Sequence, residues 1–209
     1  MMKKLLFSML AMVPLTLWAQ DNTWEINENE EIKQEVEAKA KPKVDPKYLK
    51  GAVPEVDGQV VFSTRIEAPG KTAAQIYDTM LKYMDRLTKT TNQIESKIAS
   101  ADNAKHEIIG TYQEWLVFKK TALSLDRTRF FYVLHTQCSD GHADVEMMRI
   151  RYLYEEERAP QHLRAEEWIT DKEAVNKKDT KLLPISGKFR RKTIDRKDFL
   201  FNKFASLLK

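Results

Sequence analysis

The chain has 209 residues, of which 42% are hydrophobic and 32% are charged, and its formal net charge is +4. This composition is typical of one globular domain with extensions, and it excludes collagen-like, low-complexity and wholly disordered chains. Cys138 is the only cysteine, so an intramolecular disulfide bond is impossible.

The first 19 residues have the pattern of a cleavable signal peptide. Lys3 and Lys4 precede an apolar run from Leu5 to Trp18, and the small residue Ala19 follows it. The apolar run is about 14 residues long, whereas a helix needs about 20 to cross a bilayer, so we expect no transmembrane segment. The sequence therefore predicts export, either to the periplasm or out of the cell.

Residues 20–50 predict a charged, flexible leader between the signal peptide and the domain. Acidic residues and lysines crowd this stretch, and its few large apolar residues follow no sustained period. Pro42 and Pro46 interrupt any helix that begins before them. Tyr48 and Leu49 are placed to dock the end of the leader onto the domain.

A single domain is expected over residues 51–209, and it begins with a strand and a helix. Apolar and polar residues alternate from Val60 to Ile66, which is typical of a half-buried strand. Thr72 and Gln75 have the spacing of a capping box, so a helix is expected to begin there. Apolar residues then recur at helical spacing: Ala73, Ile76, Met80, Met84 and Leu87.

Two antiparallel hairpins follow in the prediction. The first turns at residues 102–103, and the second turns at Asp140 and Gly141, which favour the positive φ angles of a tight turn. The second turn joins strands over 127–139 and 142–154. Its register places Cys138 opposite Ala143, Thr136 opposite Val145, Leu134 opposite Met147, Gln137 opposite Asp144 and His135 opposite Glu146. Nearer the base of the hairpin the apolar positions change side, which predicts a bulge, a strong twist or a sheet buried on both faces.

The same register argues against a metal site. His135, Cys138 and His142 resemble a ligand set by residue type, but His135 and Cys138 point to opposite faces of their strand. We therefore expect no metal and no other cofactor, with Cys138 as a small buried thiol. His135 and Glu146 are expected to pair, either as a surface contact or as a proton-coupled one.

The C-terminal part combines a basic segment with a final helix. A strand is predicted over Arg164–Thr170, an irregular basic segment over 177–197, and a last helix capped by Asp195. Clustered cations raise the local concentration of anions, so the basic segment is a candidate binding site for a partner or an anion. The candidate residues are Lys188, Arg190, Arg191, Lys192, Arg196 and Lys197. The alternative is that the arginines pair internally with acidic groups of the domain.

The predicted order of strand, helix, several antiparallel strands and terminal helix indicates the α+β class, with an antiparallel sheet packed by two helices. One group of residues comprises Tyr48, Leu49, Gly51 to Gly58, Val60 to Phe62, Pro69, Gly70, Ile76 and Tyr77, and another runs from Gly187 to Asp195. Together they resemble an uncharacterised family of exported bacterial proteins, a domain of unknown function with a TBP-like fold. The resemblance implies a curved antiparallel sheet and supplies no catalytic residues. It implies no DNA binding, because function belongs to sites rather than to folds.

The sequence contains no catalytic signature. It lacks the Gly-x-Ser-x-Gly elbow, the His-Glu-x-x-His zinc motif and a glycine-rich dinucleotide turn. A pair of carboxylates that hydrolyses a glycan has no sequence signature, so enzymatic activity stays open, but we expect a non-catalytic protein.

Two functions follow from these observations. In the first, the protein is an exported envelope module that binds a protein or an anionic glycan or lipid through its sheet and basic segment, and nucleic acid is not an expected partner. In the second, it carries a small apolar ligand between the sheet and the C-terminal helix. The wall residues in that case are Trp115, Phe131, Met148 and Tyr152, which alternatively belong to the ordinary core.

Overall fold

The computed structural model of the protein describes residues 44–209. The predicted signal peptide at residues 1–19 lies outside the described residues, as does the predicted leader up to residue 43. Within the described part, no helix is both long enough and apolar enough to cross a membrane.

The described residues form eight strands, six of which belong to one antiparallel sheet. The strands are β1 (Glu55–Val56), β2 (Gln59–Val60), β3 (Phe62–Glu67), β4 (Lys97–Asp102), β5 (Glu107–Lys120), β6 (Leu125–Ser139), β7 (His142–Tyr154) and β8 (Gln161–Arg164). The sheet has the order β3, β7, β6, β5, β4, and β8 pairs with the end of β7 that β3 leaves free. Strands β1 and β2 form a separate small hairpin.

Among the described residues, three α-helices accompany the sheet: α1 (Ala73–Leu87), the short α2 (Asp171–Ala174) and α3 (Ser186–Leu208). Helix α1 begins at the predicted capping box, in which the backbone N–H of Thr72 donates to Gln75 Oε1 at 2.9 Å and the backbone N–H of Gln75 donates to Thr72 Oγ1 at 3.3 Å. Tyr83 of α1 meets Phe204 of α3 edge to face, with ring centroids 5.4 Å apart. The two long helices therefore pack against each other as well as against the sheet.

The hydrophobic core lies between one face of the sheet and the helices α1 and α3. Side chains on β5, β6 and β7 alternate between buried and half-buried, and the buried set faces the helices. Phe189 of α3 contacts Tyr152 of β7 with ring centroids 5.1 Å apart, and Tyr152 stacks on Phe130 of β6 at 5.5 Å. The predicted α+β class, an antiparallel sheet packed by two helices, is confirmed.

The hairpin of β6 and β7 has the predicted register near its turn. Cys138 pairs with Ala143, Leu134 with Met147, and the other predicted pairs are also present. Towards the base the register shifts by one residue, because Val133 pairs with Met148 whereas Phe131 pairs with Arg151. A bulge, one of the three predicted explanations, therefore accounts for the change of side.

Two predicted elements near the C-terminus are wrong. The strand expected over Arg164–Thr170 is instead the end of β8 followed by a 3-10 turn over Ala165–Glu167. The last helix begins at Ser186 rather than near Asp195, so most of the basic segment is helical. The first prediction is wrong because alternation over a few residues also occurs outside strands. The second is wrong because Asp195 lies within the helix, where its carboxylate accepts hydrogen bonds from Lys47 and Tyr48 instead of capping a helix start.

The end of the predicted leader is docked onto helix α3. The Tyr48 hydroxyl donates to the Asp195 carboxylate at 2.7 Å, and Arg190 donates to the backbone carbonyls of Tyr48 and Leu49 at 2.7 and 2.5 Å. The expected docking of Tyr48 and Leu49 is confirmed. These bonds hold the segment at Tyr48 and Leu49 against helix α3.

Candidate binding face of the sheet

The sheet has one face that the helices do not cover, and we call it the open face. On β5, β6 and β7 the residues that alternate with the core residues share this face, and most of them are half-buried. Its central members are Ile109, Thr111, Gln113, Trp115, Phe131, Val133, His135, Met148 and Arg151. An uncovered sheet face of mixed polarity is a surface on which a ligand or partner fits.

The bulge in β7 places an arginine on the surface in an uncommon backbone conformation. Tyr132 of β6 stands opposite two residues of β7, Arg149 and Ile150, because the register shifts there. Arg149 has φ of 54° and is exposed, whereas Ile150 is buried in the core. A left-handed conformation costs a side-chain-bearing residue about 1–2 kcal/mol. The bulge therefore keeps the core contact of Ile150 and sends the Arg149 side chain into solvent.

A row of four paired residues crosses the open face beside the bulge. Gln113 of β5 pairs with Phe131 of β6, Phe131 pairs with Arg151 of β7, and Arg151 pairs with Arg164 of β8. Paired residues of neighbouring strands point to the same face of a sheet. The Arg151 guanidinium carbon lies 5.5 Å from the centre of the Phe131 ring, which is the range of a cation–π contact.

Residues around this row line an open cleft of about 690 Å³. Its cations are Arg149, Arg151 and Arg164, which we call the arginine cleft, and its acidic rim residues are Glu95 and Glu166. Glu166 accepts from the backbone N–H of Val60 at 3.0 Å, and its other oxygen lies 3.6 Å from Arg164 Nε. The cleft therefore presents three exposed guanidinium groups against two carboxylates, with the ring of Phe131 at its floor.

His135 lies further along the open face, between two carboxylates. Its Nε2 is 2.9 Å from Glu107 Oε1 on β5, and its Nδ1 is 3.3 Å from Glu146 Oε2 on β7. The predicted contact of His135 with Glu146 is confirmed, and Glu107 is a partner that the sequence did not indicate. Among the described residues, no group of three or more histidine, cysteine or acidic side chains is arranged to hold a metal ion.

Cys138 lies on the opposite, core side of β6, as its register predicts. It is 2% exposed. Burial raises the pKa of its thiol to about 12, because the thiolate loses its hydration inside the core. A thiol in that state is a poor nucleophile.

The structure does not bring the six predicted cations of the basic segment to one surface. Arg190 is fully buried and Arg196 nearly so, which leaves Arg191 as the exposed arginine of this group. Lys188 donates to Asp126 at 2.7 Å and to the Tyr154 hydroxyl at 2.9 Å. Lys197 is paired with the neighbouring Asp198, and Lys192 is half-buried. Internal pairing, the stated alternative, describes both buried arginines.

The two buried arginines each hold a different part of the fold. Arg196 forms a two-point contact with Glu114 of β5, at 2.7 Å from Nε and 2.6 Å from Nη2. Burial disfavours the charged guanidinium, but the attraction of Glu114 is stronger and raises the pKa of Arg196. Arg190 donates to the Ile169 carbonyl at 2.7 Å and to Asp171 at 2.6 Å, in addition to its bonds to the docked segment. Both side chains are occupied by internal bonds.

The four predicted ligand-wall residues divide between the two faces of the sheet. Trp115, Phe131 and Met148 are half-buried on the open face, whereas Tyr152 is buried in the core and its hydroxyl lies 2.7 Å from Thr193 Oγ1. The Trp115 ring is covered by Arg127, whose guanidinium carbon lies 3.6 Å from the ring centre. These four residues therefore do not line one cavity.

The residues of the arginine cleft were not among the predicted site residues. The sequence does carry a signal. Polar and apolar residues alternate along β7, and at Arg149 and Arg151 this alternation shifts by one position. On its own, that pattern indicates only a change in the side of the strand that is buried. Arg164 carried no signal at all, since its place beside Arg151 depends on β8 turning back along β7.

Comparison with known proteins gives consistent results. The model of the family described as "Domain of unknown function (DUF4468) with TBP-like fold" matches residues 62–153. A crystal structure of a DUF4468 family protein from Bacteroides ovatus is 49% identical, with 80% of this chain and 96% of that chain covered and a TM-score of 0.73. A TBP-like protein from Parabacteroides distasonis is 18% identical, with coverage of 75% and 96% and a TM-score of 0.62, which shows likeness of fold alone. A search of the curated proteins found no match.

Proposed function

Because the chain belongs to the DUF4468 family of domains with a TBP-like fold, we propose its function from its own surface: it is a non-catalytic envelope module that binds an anionic partner through the open face of its sheet. The partner reaches the protein after export, as the predicted signal peptide implies. The observation that supports this proposal is the arginine cleft, in which Arg149, Arg151 and Arg164 line one cleft together with Phe131, and Arg151 lies over the Phe131 ring.

The chemistry of the cleft favours carboxylate or phosphate groups carried on a chain. A guanidinium group donates two parallel hydrogen bonds to such an anion, which gives direction as well as attraction. The Phe131 ring offers an apolar patch for the carbon face of a sugar or for a side chain. Arg151 and Arg164 are neighbours across two strands, which lie about 4.8 Å apart in a sheet, so the cleft suits anions repeated along a polymer.

A carrier of a small apolar ligand finds no comparable support. That function requires space between the sheet and helix α3, and Phe130, Tyr152 and Phe189 fill it with ring centroids 5.1–5.5 Å apart. The open face offers Phe131 and Met148 as apolar contacts, but Phe131 shares its cleft with three arginines and two glutamates. We therefore retain the binding of an anionic partner as the proposed function.

The test uses an oligogalacturonate, a glycan with one carboxylate on each sugar, and calorimetry at low salt. The protein is expected to bind it, to ignore a neutral maltooligosaccharide of the same length, and to bind more weakly as salt is added. The double variant Arg149→Gln with Arg151→Gln is expected to lose about tenfold or more in affinity, because each charge-assisted hydrogen bond contributes about 1.5–3 kcal/mol.

The matched control changes the same amount of charge elsewhere. Arg86 and Arg191 are exposed on helices α1 and α3, and neither lines the cleft. Arg86→Gln with Arg191→Gln therefore removes two positive charges outside the arginine cleft. This variant is expected to bind like the parent protein. Equal losses in both double variants would mean attraction by net charge alone, and a loss only in the control would locate the site on the helices.

A further inference from the structure

A second surface on the molecule concentrates exposed apolar side chains. Among the described residues, five large apolar side chains are exposed, and four of them lie in two short segments. Leu123, which is 99% exposed, and Leu125 lie at the tip of the β5–β6 hairpin. Leu183 and Ile185, the latter 62% exposed, immediately precede helix α3. We call these four residues the leucine end.

Contacts between the hairpin and helix α3 bring the two segments to the same part of the molecule. Lys188, in the first turn of α3, donates to Asp126 at the start of β6 at 2.7 Å. Phe118, near the end of β5, packs on Phe189 with ring centroids 4.5 Å apart. The hairpin tip begins a few residues beyond Phe118, and Ile185 comes three residues before Lys188. Both exposed segments therefore extend from one packed junction.

Both segments are held in defined conformations. At the hairpin tip, the backbone N–H of Thr121 donates to the Ser124 carbonyl at 2.8 Å. Before α3, the Asn176 side-chain oxygen accepts from the backbone N–H groups of Thr180 and Lys181 at 2.8 and 3.0 Å. Leucine side chains that an ordered loop holds in water are unfavourably hydrated. Binding of a partner surface would bury them and lower the free energy.

The charge around the leucine end is positive. Residues 119–127 contain three cations and one acidic residue, and residues 177–185 contain the same numbers, so each segment carries +2. The acidic members are already occupied, since Asp126 accepts from Lys188 and Asp179 accepts from the backbone N–H of Lys50 at 2.8 Å. The exposed cations that flank the apolar side chains are Lys119, Lys120, Lys177, Lys178 and Lys181.

We propose that the leucine end rests on an anionic lipid membrane, with Leu123 and Ile185 inserted at the boundary of headgroups and acyl chains. Stable binding of a peripheral protein combines an apolar insertion with attraction between lysines and anionic headgroups, and this surface offers both. A protein partner would also accept the leucines, but the exposed lysines that flank them in both segments match a uniformly anionic plane. The inference uses residues outside the arginine cleft and stands independently of the proposed function.

The test is sedimentation of the exported, processed protein with vesicles. The protein is expected to bind vesicles of phosphatidylglycerol and phosphatidylethanolamine, and to bind phosphatidylcholine vesicles at least about tenfold more weakly, because the lysine contribution is lost. Leu123→Ser with Ile185→Ser is expected to reduce binding to the anionic vesicles about tenfold. Lys119→Gln with Lys120→Gln is expected to reduce it to a similar extent and to weaken its dependence on salt.

Val56 supplies the matched control, since it is the fifth exposed apolar residue, 53% exposed, and lies in the β1–β2 hairpin. Val56→Ser is expected to leave vesicle binding unchanged. The proposal is overturned if the parent protein does not sediment with anionic vesicles, as expected of a protein-docking surface, or if the leucine variant sediments as well as the parent. Arg149→Gln with Arg151→Gln is expected to sediment normally, which separates this surface from the arginine cleft. Thermal unfolding of each variant confirms that its fold is intact.

Discussion

Arg196 and Glu114 form an ion pair inside the protein, with both side chains almost completely removed from water. Glu114 also accepts from the Gln93 side chain at 2.5 Å, so its carboxylate satisfies donors from two separate parts of the chain. A buried pair of this kind contributes modestly as a pair, but the loss of one partner leaves a buried charge without compensation. The pair therefore constrains how helix α3 sits on the sheet.

Glu114→Gln is expected to lower the free energy of unfolding by about 3 kcal/mol or more, because the Arg196 charge loses its carboxylate. Urea denaturation measures this loss. The exposed pair of Asp85 with Lys89 is the control, and Asp85→Asn is expected to cost less than about 1 kcal/mol. If the two variants lose the same small amount, the buried pair does not hold the helix as described.

Cys138 gives a second prediction at the residue scale. With its pKa raised to about 12 by burial, the thiol is expected to react about a thousandfold more slowly with Ellman's reagent at about pH 8 than it does in the urea-unfolded chain. Rapid labelling of the folded protein would contradict the buried position. Because the folded pKa is raised, the neutral thiol favours folding below the unfolded pKa, and that contribution is lost as pH rises from about 9 towards 12.

At the scale of elements, the bulge in β7 affects both the packing of the core and the position of an arginine in the proposed binding site. Arg149 adopts a left-handed conformation that glycine adopts freely, so Arg149→Gly relieves backbone strain in the folded state. The same change raises the conformational entropy of the unfolded chain, which opposes that gain. We expect Arg149→Gly to keep the free energy of unfolding within about 1 kcal/mol of the parent or to raise it. Arg151→Gly, in the regular part of the strand, is expected to lose about 1 kcal/mol or more. Both variants are expected to bind oligogalacturonate more weakly.

The outcome that contradicts this account is a large loss of stability in Arg149→Gly together with unchanged binding. That result would mean that the Arg149 side chain serves packing and not recognition. Denaturation and calorimetry on the same two variants separate the alternatives, because Arg149→Gly is expected to weaken binding without a large loss of stability.

Local patterns predicted the elements whose determinants are local. The capping box at Thr72 and the turn at Asp140 and Gly141 carry their own hydrogen bonds or backbone preferences, and both are where the sequence predicts them. The start of helix α3 at Ser186 was missed because it lacks a side-chain cap. Gly187 is instead packed against Leu182, where an added Cβ would lie 2.6 Å from the Leu182 Cβ.

At the scale of the whole molecule, the candidate site was beyond prediction because it depends on strand order. Gln113, Phe131, Arg151 and Arg164 become neighbours only when β5, β6, β7 and β8 lie side by side. The basic segment, in contrast, is conspicuous in the sequence, yet helix α3 turns Arg190 and Arg196 into the interior. Charge density along a chain does not reveal which cations remain in solvent after packing.

The two proposed surfaces would give the proposed envelope module two separate tasks. The arginine cleft lies over the bulged part of β7 and the end of β8, whereas the leucine end lies at the β5–β6 tip and before the start of α3. A protein held on a lipid surface by one region keeps the other available for a partner. Each surface has its own variants, so failure of one proposal leaves the other standing.

The most direct test of the central claim is a titration of the isotope-labelled protein with oligogalacturonate, followed by amide NMR. The account predicts that the largest shifts occur at Phe131, Arg149, Arg151 and Arg164, and that residues 188–197 of helix α3 move little. Shifts concentrated on helix α3, or spread evenly over every exposed lysine and arginine, would contradict recognition by the open face.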